Sequence, residues 1–280
     1  MKPLFGFDLT NDKKNQTFYA DKFLTKEVDN EILQRIDDAT SAIESTIKKA
    51  SVPSVLMIIQ YIAFIYGIIV VGSMLGADVS FSQAFKNAPV MCVTGILSLI
   101  PATIIWFYSK MKQKKVYSDE NAKVQMEKLE KYADEAFDNL GVPKDCSSLA
   151  DILLFSFKCK DGNVKITSPT FINHVYRVYR DGYALCIADV GSLYTFPYET
   201  FKAIRKVKKA AILSTWNKDE PLNKGEYKKY KIEQTNIGIR SKPYYILEIE
   251  KDGETYGIYF PCYELPTFEA LTGLTATEEA

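Results

Sequence analysis

The chain has 280 residues with 35 basic and 35 acidic side chains, a formal net charge of zero. That balance lacks the basic excess of a nucleic-acid binder and argues against a nucleic-acid partner. Five cysteines, an odd count with no C-x-x-C spacing, suit reduced thiols rather than a disulfide frame.

Residues 1–28 form an arm with too many aromatics for a free polar tail: Phe5, Phe7, Phe18, Tyr19 and Phe23. Two readings stand, a loosely ordered arm or one that packs its rings on the soluble domain or the membrane surface. Asn15-Gln16-Thr17 matches a glycosylation sequon and is read as chance, because this end is expected inside the cell. Residues 29–51 read as a cytoplasmic helix. Ile32, Ile36, Ala39, Ile43 and Ile47 fall three or four apart, Asp29 or Asn30 suits the start, and Lys48-Lys49 suits the end.

Two apolar runs follow, at 52–77 and 88–109, and neither contains a charged residue. A membrane span takes about 20 such residues, so the pair predicts a transmembrane helical hairpin with a short turn at 78–87. Pro89 suits a first helical turn, and Pro101 is tolerated in a span whose freed carbonyls find partners. Trp106 and Tyr108 lie where an interfacial aromatic belt belongs. Lys48 and Lys49 precede the first span, and Lys110, Lys112, Lys114 and Lys115 follow the second. Lysines near span ends favour the cytoplasmic side, so both termini are expected inside a multi-pass protein of the cell membrane.

Residues 110–142 give a second cytoplasmic helix with apolar seam positions Ala122, Met126, Leu129, Ala133, Ala136 and Leu140, stopped by Gly141 and Pro143. Emerging beside the first, it predicts an antiparallel stalk. From residue 146 to 274 the period changes from helical to alternating. Asp161-Gly162, Asp181-Gly182 and Asp252-Gly253 each separate two strand-like runs, the composition of tight hairpins. Further strands are expected at 192–196, 210–216 and 230–239, with 201–207 a strand opening or a turn. Glu264–Leu274 reads as a short closing helix. The fold class is therefore α+β: a membrane hairpin with a helical stalk, then a small antiparallel β-barrel or sandwich with a C-terminal helix.

The segments YTFPYETFKAIRKV (Tyr194–Val207) and GIYFPCYEL (Gly257–Leu265), with the strand order and closing helix, resemble bacterial membrane proteins of the YcxB-like kind. The resemblance implies two spans and a cytoplasmic domain related to the pleckstrin-homology (PH) fold. Domains of that fold generally bind phosphoinositides or proteins.

Lys202, Arg205, Lys206, Lys208 and Lys209 form the best candidate for a lipid- or partner-binding site, since each cation near an anionic surface contributes about 1 kcal/mol. The plainer reading is a solvated strand edge, because Glu220, Glu226 and Glu233 interleave with the lysines that follow. The many tyrosines mark either a groove or ordinary strand positions. The P-loop, dinucleotide, nucleophile-elbow and zincin motifs are missing, and the lone histidine, His174, reads as structural. The sequence thus predicts no enzyme, no metal and no cofactor. Expected partners are the lipid bilayer and either a protein or a second copy, met through the spans and stalk. An anionic-lipid sensor and an accessory subunit of a membrane transport complex, packing through Gln60, Gly72, Gly76 and Gly95, are the rival readings.

Overall fold

The computed structural model describes residues 1–9, 18–50, 54–76, 86–117, 120–145, 147–160, 163–213, 216, 218–235 and 238–278. The sequon, Asp161-Gly162 and most of the expected inter-span turn lie outside them. The described elements are α+β. The chain divides into two compact units, one of Met1–Leu33 with Asp134–Ala280 and one of Gln34–Ala133.

The helical unit centres on two long apolar helices. Following α1 (Asn30–Ala50), α2 spans Ser54–Gly76 and α3 spans Pro89–Tyr117. Both are long and apolar enough to cross a membrane, over Val55–Ser73 and Pro89–Met111. Helix α3 continues through Pro101. The two helices pack along each other through small residues: a Cβ added at Gly67 would overlap Leu99, and one at Gly95 would overlap Val70. Ser98 Oγ donates to the Ala63 carbonyl across the pair at 3.0 Å. The outward faces are bare and apolar, with Val55 67 %, Ile62 64 % and Val90 74 % exposed. Helix α4 (Glu120–Leu140) follows, and the Arg35 guanidinium of α1 lies 5.2 Å from the Tyr132 ring centroid of α4.

In the other unit, α4 ends as its sequence directs. Gly141 takes φ +80°, Gly141 N–H donates to the Asp138 carbonyl, and Val142 N–H donates to the Phe137 carbonyl. That is the double hydrogen bond of a glycine-terminated helix. Asn139, two residues before Gly141, donates its amide to Asp29 at 2.7 Å.

The β elements of this unit are β1 (Lys2–Pro3), β2 (Gly6–Asp8), β3 (Leu24–Glu27), β4 (Ser148–Lys160), β5 (Asn163–Asp181), β6 (Ala184–Ala188), β7 (Ser192–Pro197), β8 (Phe201–Val207), β9 (Ala211–Leu213), β10 (Glu233–Thr235), β11 (Gly238–Ser241), β12 (Tyr244–Lys251), β13 (Glu254–Pro261) and β14 (Ala276–Glu278). Helix α5, Leu265–Thr272, follows β13. The larger sheet runs β14-β8-β12-β13-β4-β5-β6-β7-β3, and the smaller runs β10-β11-β9. The larger path has two ends, β14 and β3, so among the described residues it does not close on itself. Run 201–207 is a strand. Run 230–239 is instead a 3-10 turn, Gly225–Tyr230, followed by the short β10 and β11.

Hairpin chemistry explains two of the turns. Asp252 and Gly253 take φ +55° and +74°, the pair of positive values a two-residue type I′ turn requires. Between β5 and β6 the pairing of Asp181 with Ala184 makes Gly182-Tyr183 the turn, one residue later than the Asp-Gly spacing predicts. Gly182, at φ +54°, supplies the positive φ there.

The aromatic arm is packed, not loose. Strands β13 and β4 pair at Tyr259 and Leu153. Beyond that point the arm lies between them, with β1 parallel to β13 and β2 parallel to β4. Leu4 N–H donates to Gly257 O on one side, and Phe5 O accepts from Phe155 N–H on the other. Leu4 and Phe5 are buried in the core, where Phe5 meets Tyr176 at 5.0 Å and Tyr194 at 5.5 Å. Phe18 stacks on Phe157, and Phe23 packs on Phe196. Lys2 and Lys22 both bridge to Glu254.

Candidate functional site

The basic run lies on β8 and the connection after it. Strand β8 is interior to the sheet, hydrogen-bonded to β12 on one side and to β14 on the other. Two of the cations meet acids of β12, Arg205 diagonally across the ladder and Lys202 at the register shift beside Glu248 and Ile249. Lys202 Nζ lies 2.9 Å from Glu250, and Arg205 Nε lies 2.7 Å from Glu248. Glu248 is buried, so the Arg205 pair is the better shielded of the two. Lys206 is half-buried, while Lys208 and Lys209 are exposed beyond the strand. The five residues are thus near one another, but the charge of the first two is met within the sheet.

A second cluster, with no motif in the sequence, forms where the chain leaves β9. Trp216 packs edge-to-face against Tyr227 and Tyr263, each at 5.1 Å between centroids. Its indole N–H donates to the Glu220 carbonyl at 2.9 Å. Two residues on, Lys218 Nζ reaches Glu264 Oε1 at 2.5 Å, just ahead of α5. Glu264 is buried. It also accepts from the Asp151 backbone N–H at 3.0 Å and from Thr267 Oγ1 at 3.2 Å. Tyr263 donates its hydroxyl to the buried Asp151 carboxylate at 2.7 Å.

The electrostatics follow from burial. Desolvation pushes the Glu264 carboxyl above the usual carboxylate range, against the opposing pull of Lys218 and the Asp151 N–H. Tyr263 is raised by burial first and by the Asp151 charge second. Asp151 and Glu264 both have donors, so the network fastens Lys218 and Tyr263 onto the sheet rather than presenting a reactive group. Beside it opens a cleft of about 550 Å³ walled by Trp216, Leu222 and Ile232, with Lys218, Asp219 and Glu220 also lining it. Gln234 of β10 lines its far side, and β10 is the end strand of the small sheet.

His174 on β5 packs against Tyr176, and burial lowers its pKa from 6.5. Cys92, Cys186 and Cys262 are buried thiols. Among the described residues, no three His, Cys, Asp or Glu side chains are grouped to hold a metal. Composition gives little warning of the Trp216 cluster. Its one visible signal is a tryptophan outside the apolar runs, and a buried glutamate paired with a distant lysine leaves no local trace. No family model, no curated protein and no solved structure matches this chain.

Proposed function

We propose that this is a two-span membrane protein that holds a β-rich interaction domain at the cytoplasmic face, where it binds a protein partner. One observation carries the reading. The two apolar helices are covered over only 11 % and 17 % of their spans. A core helix of that hydropathy would be buried by its own protein; here Ile58, Ile62, Ile69, Val90 and Ile104 all point outward. A bilayer is the solvent that suits them.

The β unit supports the topology. Strands before the hairpin (β1–β3) and after it (β4–β8 and β12–β14) share the larger sheet. In this reading both flanks of the hairpin lie on one side of the membrane. The lysines at 48–49 and 110–115 favour the cytoplasm for that side. In this reading the likeness to YcxB-like proteins with a PH-related domain rests on the segments Tyr194–Val207 and Gly257–Leu265 and on the short helix after β13. The function in this reading is recognition, without catalysis or a cofactor. A protein partner is preferred to anionic lipid because Lys202 and Arg205 are already paired with Glu250 and Glu248. An accessory role through the spans has less support, since Gly95 is occupied by Val70 of the same chain.

The test has two steps. The intact protein is expected in the membrane pellet after alkaline carbonate washing. A mild-detergent pulldown is then expected to retain a partner when the spans are exchanged for unrelated ones. Recovery in the carbonate supernatant overturns the membrane reading, and partner loss on span exchange turns it toward the accessory role.

A further inference from the structure

We infer that the contact of Lys218 with buried Glu264 is an acid-operated latch: a proton taken up by the carboxyl pair of Asp151 and Glu264 frees Lys218 and unseats Trp216. The latch lies wholly within the β unit. It goes beyond the proposed function, since it concerns how that unit is switched and not what the unit binds. Asp151 and Glu264 are each only 1 % exposed. The Asp151 backbone N–H donates to Glu264 Oε1 at 3.0 Å, which brings the two acids together. Glu264 holds Lys218 at 2.5 Å, with the lysine side chain 18 % exposed. Asp151 takes a neutral donor, the Tyr263 hydroxyl, at 2.7 Å. Trp216, two residues before Lys218, packs on that same Tyr263 ring at 5.1 Å. Tyr227 also faces Glu264, with Glu220 and Glu226 beyond it, Cys262 flanks Tyr263, and His174 of β5 faces Asp151. Tyr227 and Cys262 are both raised by burial and stay uncharged in acid.

The direction of the switch follows from these neighbours. Burial raises the Glu264 carboxyl above 4.5, Lys218 and the Asp151 N–H oppose the rise, and the Asp151 charge adds to it. Taking the ammonium away while Glu264 stays buried therefore raises the carboxyl further. The released state binds the proton more tightly than the latched one, so acid favours release. A protonated Glu264 also leaves the Lys218 ammonium mostly out of water without its counter-ion, which drives it outward.

The experiment uses the full chain in mild detergent with Trp106→Phe, which leaves Trp216 as the sole tryptophan. On acidification the emission is expected to move to the red in one reversible step with a midpoint above pH 4.5, while the far-ultraviolet circular dichroism stays unchanged. Lys218→Met and Glu264→Gln are each expected to show the acid emission already at neutral pH and to lose the step. Lys218→Met removes a partly exposed side chain, so it tests the latch even where Glu264→Gln does not fold. Asp151→Asn takes away the like charge and is expected to lower the midpoint by about one pH unit. His174→Gln is expected to keep the step. The latch is overturned by the lack of a step above pH 4.5, by a step that survives Lys218→Met, or by a folded Glu264→Gln protein with unchanged emission at neutral pH. A midpoint raised or unmoved in Asp151→Asn, or a step lost with His174→Gln, overturns it equally.

Discussion

Gly6 is the point at which the arm passes closest to the sheet. A Cβ placed there would come within 2.7 Å of the Phe155 carbonyl oxygen and 2.9 Å of Phe18 Cβ. Backbone cannot yield as a flexible side-chain tip would, so Gly6→Val is expected to cost about 1–3 kcal/mol, read as a lower urea midpoint. A wild-type midpoint would mean that the arm is not seated between β13 and β4. Glu254, a little further along, gives the same contact a pH dependence. The hydrogen bond from Lys2, then those from Tyr256 and Lys22, lower its carboxyl from 4.5 to about 2. A carboxylate lowered on folding stabilises the folded state fully above its unfolded value, and the contribution is lost as pH falls from about 4.5 toward 2. Glu254→Gln is therefore expected to lower the thermal midpoint near neutrality and to flatten its decline across that interval. Parallel pH–midpoint curves for the two proteins would refute this linkage.

The hairpin of α2 and α3 is an element built by subtraction. If they face lipid, as proposed, the two helices gain little from hydrophobic contact with each other, and close approach and interhelical hydrogen bonds must hold them. Gly67 and Gly95 supply the approach, and Ser98 to Ala63, with Tyr66 to Thr94 at 2.9 Å, supply the bonds. Gly95→Leu is expected to part the helices by overlap with Val70. The measurement is the rate of disulfide formation between cysteines placed at Ala63 and Ser98, which should fall severalfold; an unchanged rate would show that Val70 does not pack on Gly95. These helices were legible in the sequence, because a charge-free run of this length has few other solutions and the capping residues of α1 and α4 are local signals. The main hairpin strands were legible for the same reason, period two between turn residues. Strands β1 and β2 were not, since two or three residues carry no periodicity and their partners stand some 150–250 positions away. The Trp216 cleft escaped too, being built from an irregular segment whose contacts to Glu264 and Tyr263 are all long-range.

At the scale of the whole molecule, the β unit is discontinuous, with the helical unit inserted between Leu33 and Asp134. The arm's share of its core can be weighed. Leu4, Phe5, Phe18 and Phe23 are all at most 5 % exposed. Truncating one such side chain costs about 2–5 kcal/mol, whereas a whole domain is stable by only about 5–15 kcal/mol. Losing all four together, with the hydrogen bonds to Gly257 and Phe155, meets or exceeds that margin. A fragment of residues 134–280 is thus expected to show no cooperative urea transition. Residues 1–33 joined to 134–280 should show one. A flexible linker of about eight residues suffices, reaching about 15 Å, because Arg35 and Tyr132 beside the two cut points are already in contact. If the shorter fragment unfolds cooperatively at the midpoint of the joined one, the arm is a covering and not part of the core. If only the joined piece does so, folding of the β unit must wait until the chain has returned from the hairpin, and in the proposed membrane setting both flanks then belong on one side.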